Sequence, residues 1–281
     1  KEDSSRLPTF SMFHTLYEDI RTNHQQFPPE EADLIVASQR SLELFFSTPE
    51  EFLAYPGYKA FVDTTDDLGF HNVWGKMQKP YFKREFPLMW EGHQDFYGVP
   101  VGIVPEDQSM DKPMAERTIS VLFFGTGYNS LRSNVVKALK EIPGACVGLD
   151  TAIDRAEYLK LLGNAKVAVS CYAYSGFDSY RFWEAIYHGA CLLTMFPPLA
   201  IPEMFLDQKE VFYFAGVEEM LVKLRWLLDH PAVLETVSQQ ALQKALAHHL
   251  TIHRAQTMTQ TIQGYYGIAD SPVDVVSSVA V

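Results

Sequence analysis

From residue 118 onward the sequence alternates short apolar runs with amphipathic stretches, and this alternation leaves few architectures open. Residues 118–124 (T-I-S-V-L-F-F) form an uninterrupted apolar run of strand length, followed by the turn Gly125-Thr126-Gly127. Residues 129–142 then carry Leu131, Val135, Ala138 and Leu139 at helical spacing. The spacing predicts further strands at 145–149, 166–170, 190–195 and 210–214, with helices at 154–162 (capped by Asp154) and 179–188 between them. Strands that are apolar throughout are buried on both faces. Repeated strand–helix units of this length therefore imply a parallel sheet covered on each side, an α/β Rossmann-like domain. Residues 217–228 and 232 to about 263 read as two closing helices, and the last ten residues read as a frayed end.

The first 110 residues are less regular. A helix is expected at 12–21, where Phe13, Leu16, Tyr17 and Ile20 share a face, and a strand at 33–38. A helix start lies at 47–51, with proline in the first turn and acids near the positive end of the dipole. A strand at 60–63 runs into Thr64-Thr65-Asp66-Asp67, four polar residues at a strand's C-terminal end, where ligands gather in open α/β sheets. Between 69 and 94 the period is lost among Trp74, Tyr81, Phe82, Phe86, Trp90 and the basic Lys76, Lys79, Lys83 and Arg84. This mixture reads as a loop or helix docking its rings on the core, with sugar or nucleic-acid binding as the alternative. The polar, proline-bearing stretch 104–116 reads as a linker. The expected domains are thus 1–110, 117–265 and a tail at 266–281.

Composition narrows the function. A length of 281 residues suits two domains. A formal net charge of −12 argues against a broad nucleic-acid surface, which needs a basic stripe to neutralise phosphates, but permits a local basic pocket. The three cysteines, Cys146, Cys171 and Cys191, form no C-x-x-C pair and lie in or beside apolar runs, as small core residues of a reducing compartment do. No stretch approaches the ~20 apolar residues of a membrane span, and the expected location is cytoplasmic. His249 and His253 stand four apart, a metal-ligand spacing on a helix, but no nearby acid or cysteine completes a site.

The chemistry concentrates in residues 175–195, S-G-F-D-S-Y-R-F-W-E-A-I-Y-H-G-A-C-L-L-T-M. Asp178 or Ser179 can cap its helix, and Gly189 can end it in a left-handed conformation. Phe182, Trp183 and Ile186 can face a sheet, while Arg181 and Glu184 share another face. An arginine fork beside a helix start suits a phosphate, and a carboxylate one turn on suits paired sugar hydroxyls. The plain alternative is an exposed Arg181–Glu184 ion pair. Upstream, Gly125 and Gly127 let backbone N–H groups approach an anion, with Arg132 one turn into the next helix. The third glycine of a dinucleotide fingerprint is missing and Asp150 is the only acid ending the second strand, which weakens a dehydrogenase reading.

The runs G-F-D-S-Y-R-F-W-E-A-x-x-x-G-A, V-L-F-F-G-T-G-Y-N-x-L-R and H-H-L-T-x-H-R-A resemble the spore-maturation-protein-like (CgeB-type) glycosyltransferases, within the GT-B group of two facing Rossmann-like domains. The resemblance implies that the second domain binds a nucleotide diphosphate sugar, UDP-linked among others, as donor substrate without a cofactor. Glu184 would contact the ribose, Arg181 the diphosphate, and Gly125, Thr126 and Gly127 would lie beneath the phosphates with Arg132 as a further partner. Asp178 and Tyr180, in the same motif, complete the donor-binding set. Many retaining members carry a glutamate where this chain has Gly176, which leaves the stereochemical outcome open. An inverting reaction needs a general base, for which Asp66 and Asp67 are the candidates, with His14 behind them. The N-terminal part is short for the acceptor domain the resemblance implies. A non-catalytic nucleotide-sugar-binding module is the alternative function.

Overall fold

The structure is a computed structural model of the chain and describes residues 34–37, 48–63, 79–84, 86–92, 95–103, 105, 112–127, 129–171 and 179–268. The expected helix at 12–21, Asp66, Asp67, Asp178 and most of the 266–281 tail lie outside these residues. The chain divides into two compact units, residues 1–104 with 251–281 and residues 105–250.

The first unit contains a four-stranded parallel sheet of order β1-β2-β3-β4, built from Leu34–Ala37, Tyr58–Asp63, Tyr81–Lys83 and Phe96–Gly98. Helix α1, Pro49–Ala54, begins as its sequence suggests: Pro49 occupies the first turn and the Thr48 hydroxyl accepts from the Glu51 N–H at 3.3 Å. The stretch 69–94, expected to be a loop or helix, contributes β3. Its three residues are too few to show a period, and all three are buried. At the C-terminal edge of this sheet, the Tyr81 hydroxyl donates to Asp63 Oδ2 at 2.6 Å and Lys83 Nζ donates to the same oxygen at 3.2 Å. Lys83, one of the basic residues of that mixture, is fully buried.

The expected helix from 232 to about 263 is two helices. The first, α6 (Pro231–His248), ends where His249 buries its ring against Trp183 and Phe205, with centroids 5.2 and 4.8 Å away. His249 Nε2 also donates to the Glu203 carbonyl at 3.0 Å, which takes the chain out of helical geometry. His249 and His253 therefore do not share one helix. The second, α7 (Thr251–Tyr266), belongs to the first unit, where Ala255, Met258 and Ile262 pack with Ala60, Val62, Phe82 and Val99. The second unit thus ends at 250, short of the expected 265.

The second unit follows the alternation in order. Strands β5 (Ile119–Gly125), β6 (Ala145–Leu149), β7 (Ala165–Ser170), β8 (Cys191–Met195) and β9 (Phe212–Phe214) form a parallel sheet of order β6-β5-β7-β8-β9. Helices α2 (Ser130–Leu139), α3 (Arg155–Leu162), α4 (Tyr180–Tyr187), α5 (Val217–Asp229) and α6 accompany it. Neighbouring strand residues point to opposite faces. Val121, Phe123, Val167 and Leu193 join one core with Val135, Leu139, Met220 and Leu224, while Leu122, Ala168 and Leu192, on the other face, are equally buried. Both faces are covered, each fully buried large side chain contributing ~1.5–3 kcal/mol. At the opposite edge from the site described below, Gly189 (φ +67°) ends α4, and Arg117 donates to the carbonyls of His188 and Ala165 at 2.9 and 2.8 Å. A cation there complements the negative end of the helix dipole.

Cys191 is fully buried and its thiol is pushed up to about 12 by burial, and burial also raises Cys171. A raised thiol pKa leaves little thiolate at neutral pH. Burial and the Glu157 charge raise the Cys146 thiol as well, but Cys146 is only partly buried, so slow alkylation of the folded protein is expected to label it ahead of the two buried cysteines, as peptide mass mapping would show. Rapid labelling of Cys191 would contradict this packing.

Candidate active site

The strand order sets where a ligand can sit. After β5 the chain places β6 on one side and then returns to place β7 on the other, so the loops leaving β5 and β7 diverge at the C-terminal edge. Gly125 ends β5, and α4 follows β7. The two elements singled out in the sequence are together at this edge. A methyl group on Gly125 would stand 3.1 Å from Arg181 Nη2 and 3.4 Å from Arg132 Nη1, so glycine here makes room for two guanidinium groups.

Those arginines differ in their partners. Arg132 is buried and donates to the Thr126 carbonyl at 3.0 Å and the Cys171 carbonyl at 3.2 Å. It ties the turn after β5 to the end of β7, and Asn129, the cap of α2, accepts from its backbone N–H at 3.0 Å. Arg132 is thus a brace that also carries charge. Arg181 lies with Cζ 5.1 Å from the Phe123 ring centroid, and its Nε and Nη1 are buried without a hydrogen-bond partner of good geometry among the described residues. It also sits in the first turn of α4, where the helix dipole disfavours a cation. Two guanidiniums side by side, one with orphaned donors worth ~1–3 kcal/mol each, form an arrangement that an anion would relieve.

Glu184 is not paired with Arg181. Its Oε1 accepts from Arg155 Nη1, on α3, at 2.6 Å, and no donor among the described residues reaches Oε2. The exposed i,i+3 pair considered as the plain alternative is absent, because Arg181 turns toward Gly125 while Glu184 turns toward α3. Tyr158, on α3, places a buried hydroxyl beside Arg181 and Glu184 with no partner of good geometry. Burial holds its phenol well above the ordinary range and the Glu184 charge adds to this, while the Arg181 charge, a loose side-chain hydrogen bond with Arg181 and the Arg155 charge oppose it.

Two details of the turn differ from the sequence reading. The Gly127 N–H, expected to approach a ligand anion, donates to Asp150 Oδ1 at 2.9 Å, and a methyl group on Gly127 would meet Asp150 Oδ2 at 2.7 Å. The acid at the end of β6 therefore fastens the loop, which further weakens the dehydrogenase reading. Ser179 stands at the cap position of α4 but makes no capping bond through its side chain, and its Oγ lies 3.4 Å from Ser170 Oγ. Thr126 and Gly127 are exposed, and Tyr180, the first residue of α4, is 39% exposed. Arg155, Tyr158 and the anchoring role of Asp150 escaped the sequence reading. The one available signal was that Arg155 and Tyr158 stand a helical turn apart at the start of α3. Among the described residues no group of three or more His, Cys, Asp or Glu is placed to hold a metal ion. None of their helices is long and apolar enough to cross a membrane.

A doubly covered parallel sheet with two guanidinium groups beside a glycine at its switch point is an arrangement suited to phosphate-bearing ligands. The Glycosyl transferase-like family profile matches residues 114–260, just over half of the chain, and the chain belongs to that family. No curated protein sequence matches it. Among solved structures it is similar to a glycosyltransferase from Rickettsia africae ESF-5, with TM-score 0.62 and 8% identity over 96% of this chain and 85% of that one. It is also similar to Anabaena HepE in complex with UDP and glucose, with TM-score 0.60 and 11% identity over 84% of this chain and 79% of that one. For S. aureus TarM the TM-score is 0.54 and identity 9%, over 82% of this chain and 54% of that one, so the chain spans about half of TarM's length. The fold is α/β with parallel sheets, as in GT-B glycosyltransferases.

Proposed function

We propose that the chain transfers a sugar, a hexose or a relative, from a nucleotide diphosphate sugar to an acceptor, and that the donor's diphosphate lies over Gly125 against Arg181. The observation that carries this reading is the Arg181 fork at the switch point, whose Nε and Nη1 are buried with no partner of good geometry among the described residues, beside the braced charge of Arg132. Family membership and the likeness to HepE, a structure holding UDP and glucose, support it. The resemblance to spore-maturation-protein-like members belongs to the same reading. In the reaction, the acceptor's nucleophilic atom forms a new bond to the anomeric carbon as the bond between that carbon and the β-phosphate oxygen breaks, and the electron pair of the broken bond stays on the diphosphate. Arg181, Arg132 and the N-terminal end of α4 stabilise that charge, the work a metal ion performs elsewhere. Glu184 holds the ribose hydroxyls, with Tyr180, Asp178, Thr126 and Gly127 around the donor. In an inverting reaction the acceptor's proton goes to a general base, for which Asp66 and Asp67 are the candidates.

The test combines binding with turnover. UDP or GDP is expected to raise the melting temperature, since a ligand of the folded form alone stabilises it. Release of nucleoside diphosphate from the corresponding sugar donor is expected to continue in EDTA. Turnover that stops in EDTA and returns with Mg²⁺ would remove the metal-independent mechanism. Binding without transfer to any acceptor offered would favour the non-catalytic module.

A further inference from the structure

Helix α3 stood outside the expected donor site, yet its first residue makes the closest polar contact to Glu184. Arg155 Nη1 and Glu184 Oε1 are 2.6 Å apart, and the two side chains are 58% and 16% exposed. An ion pair this open adds little to folding stability, so its consequence is geometric. It fixes one carboxylate oxygen of Glu184 and leaves Oε2 without a donor among the described residues, one helical turn from Arg181. A carboxylate held in one orientation loses less freedom when it accepts from a ligand than one that rotates.

Resting on the donor reading above, we propose that Arg155 is a positioning residue: it holds Glu184 so that Oε2 meets the ribose hydroxyls of the nucleoside diphosphate, and it acts through Glu184 alone. This assigns α3 to the donor site and makes Arg155 a determinant of selectivity for ribose over sugars lacking the diol. A direct role, in which Arg155 leaves Glu184 to bind the diphosphate, predicts different behaviour.

Calorimetric titration of wild-type protein, Arg155→Gln, Glu184→Gln and the double variant separates the two. The probes are whichever of UDP and GDP the wild-type protein binds, and its 2′,3′-dideoxy analogue. Arg155→Gln and Glu184→Gln are each expected to weaken the ribonucleotide about tenfold, and the double variant no more than Glu184→Gln alone. Arg155→Lys recovers part of the loss. All the proteins are expected to bind the dideoxy analogue alike, with melting temperatures near wild type showing that they fold. Equal weakening of both nucleotides by Arg155→Gln, or unchanged ribonucleotide affinity, would overturn the inference while leaving the donor site in place. Wild-type protein that binds neither UDP nor GDP would overturn the donor reading and this inference together.

Discussion

Arg181→Ala is expected to weaken binding of a nucleoside diphosphate by at least ~100-fold while leaving the unliganded protein as stable as wild type, within ~1 kcal/mol. The two effects have one origin. In the unliganded protein Arg181 Nε and Nη1 are buried without a hydrogen-bond partner of good geometry among the described residues, the charge sits beside Arg132, and it opposes the dipole of α4. Removing the guanidinium relieves those costs and forfeits its contact with Phe123, a contact of ~0.5–2 kcal/mol. With ligand present, the same donors form charge-assisted hydrogen bonds to phosphate oxygens, each ~1.5–3 kcal/mol, and two of them account for the lost affinity. Calorimetry and thermal unfolding of the same samples test both halves. A variant that binds as tightly as wild type would take Arg181 out of the site. A variant that unfolds several degrees lower would mark it as a structural residue.

The second large effect lies in the first unit. Lys83→Met is expected to cost about 3–5 kcal/mol, because it strips the buried Asp63 carboxylate of the ammonium group that faces it at 3.2 Å. Asp63→Leu combined with Lys83→Met is expected to recover most of the loss, since two apolar side chains of similar volume leave no charge to desolvate. Urea unfolding monitored for the three proteins measures this. Equal stability of Lys83→Met and wild type would show that the pair is solvated rather than buried.

Much of the second unit was legible because apolar strands at regular spacing state their own burial. Leu122 and Phe123 lie on opposite faces and are both buried, which is why a run without alternation pointed to a sheet covered twice. The meeting of Gly125 with Arg181 was legible for a similar reason: both follow strands that must be neighbours in such a sheet. Pairings between helices were not. Arg155 and Glu184 are 29 residues apart, and the shorter separation of Arg181 and Glu184 suggested the wrong ion pair. The pairing of Lys83 was not legible because nothing local announces that Asp63 stands opposite it in the sheet. The break between α6 and α7 carries no glycine or proline. It is made by the burial of His249 against Trp183 and Phe205, contacts about 66 and 44 residues away along the chain.

A crystal structure of the protein with UDP bears most directly on the donor site. It is expected to show the diphosphate over Gly125, with Arg181 Nε and Nη1 about 2.7–2.9 Å from phosphate oxygens and Glu184 Oε2 on the ribose. Nucleotide bound elsewhere than the C-terminal edge of β5 and β7, or Arg181 still unbonded beside it, would contradict the placement of the sugar donor in this unit.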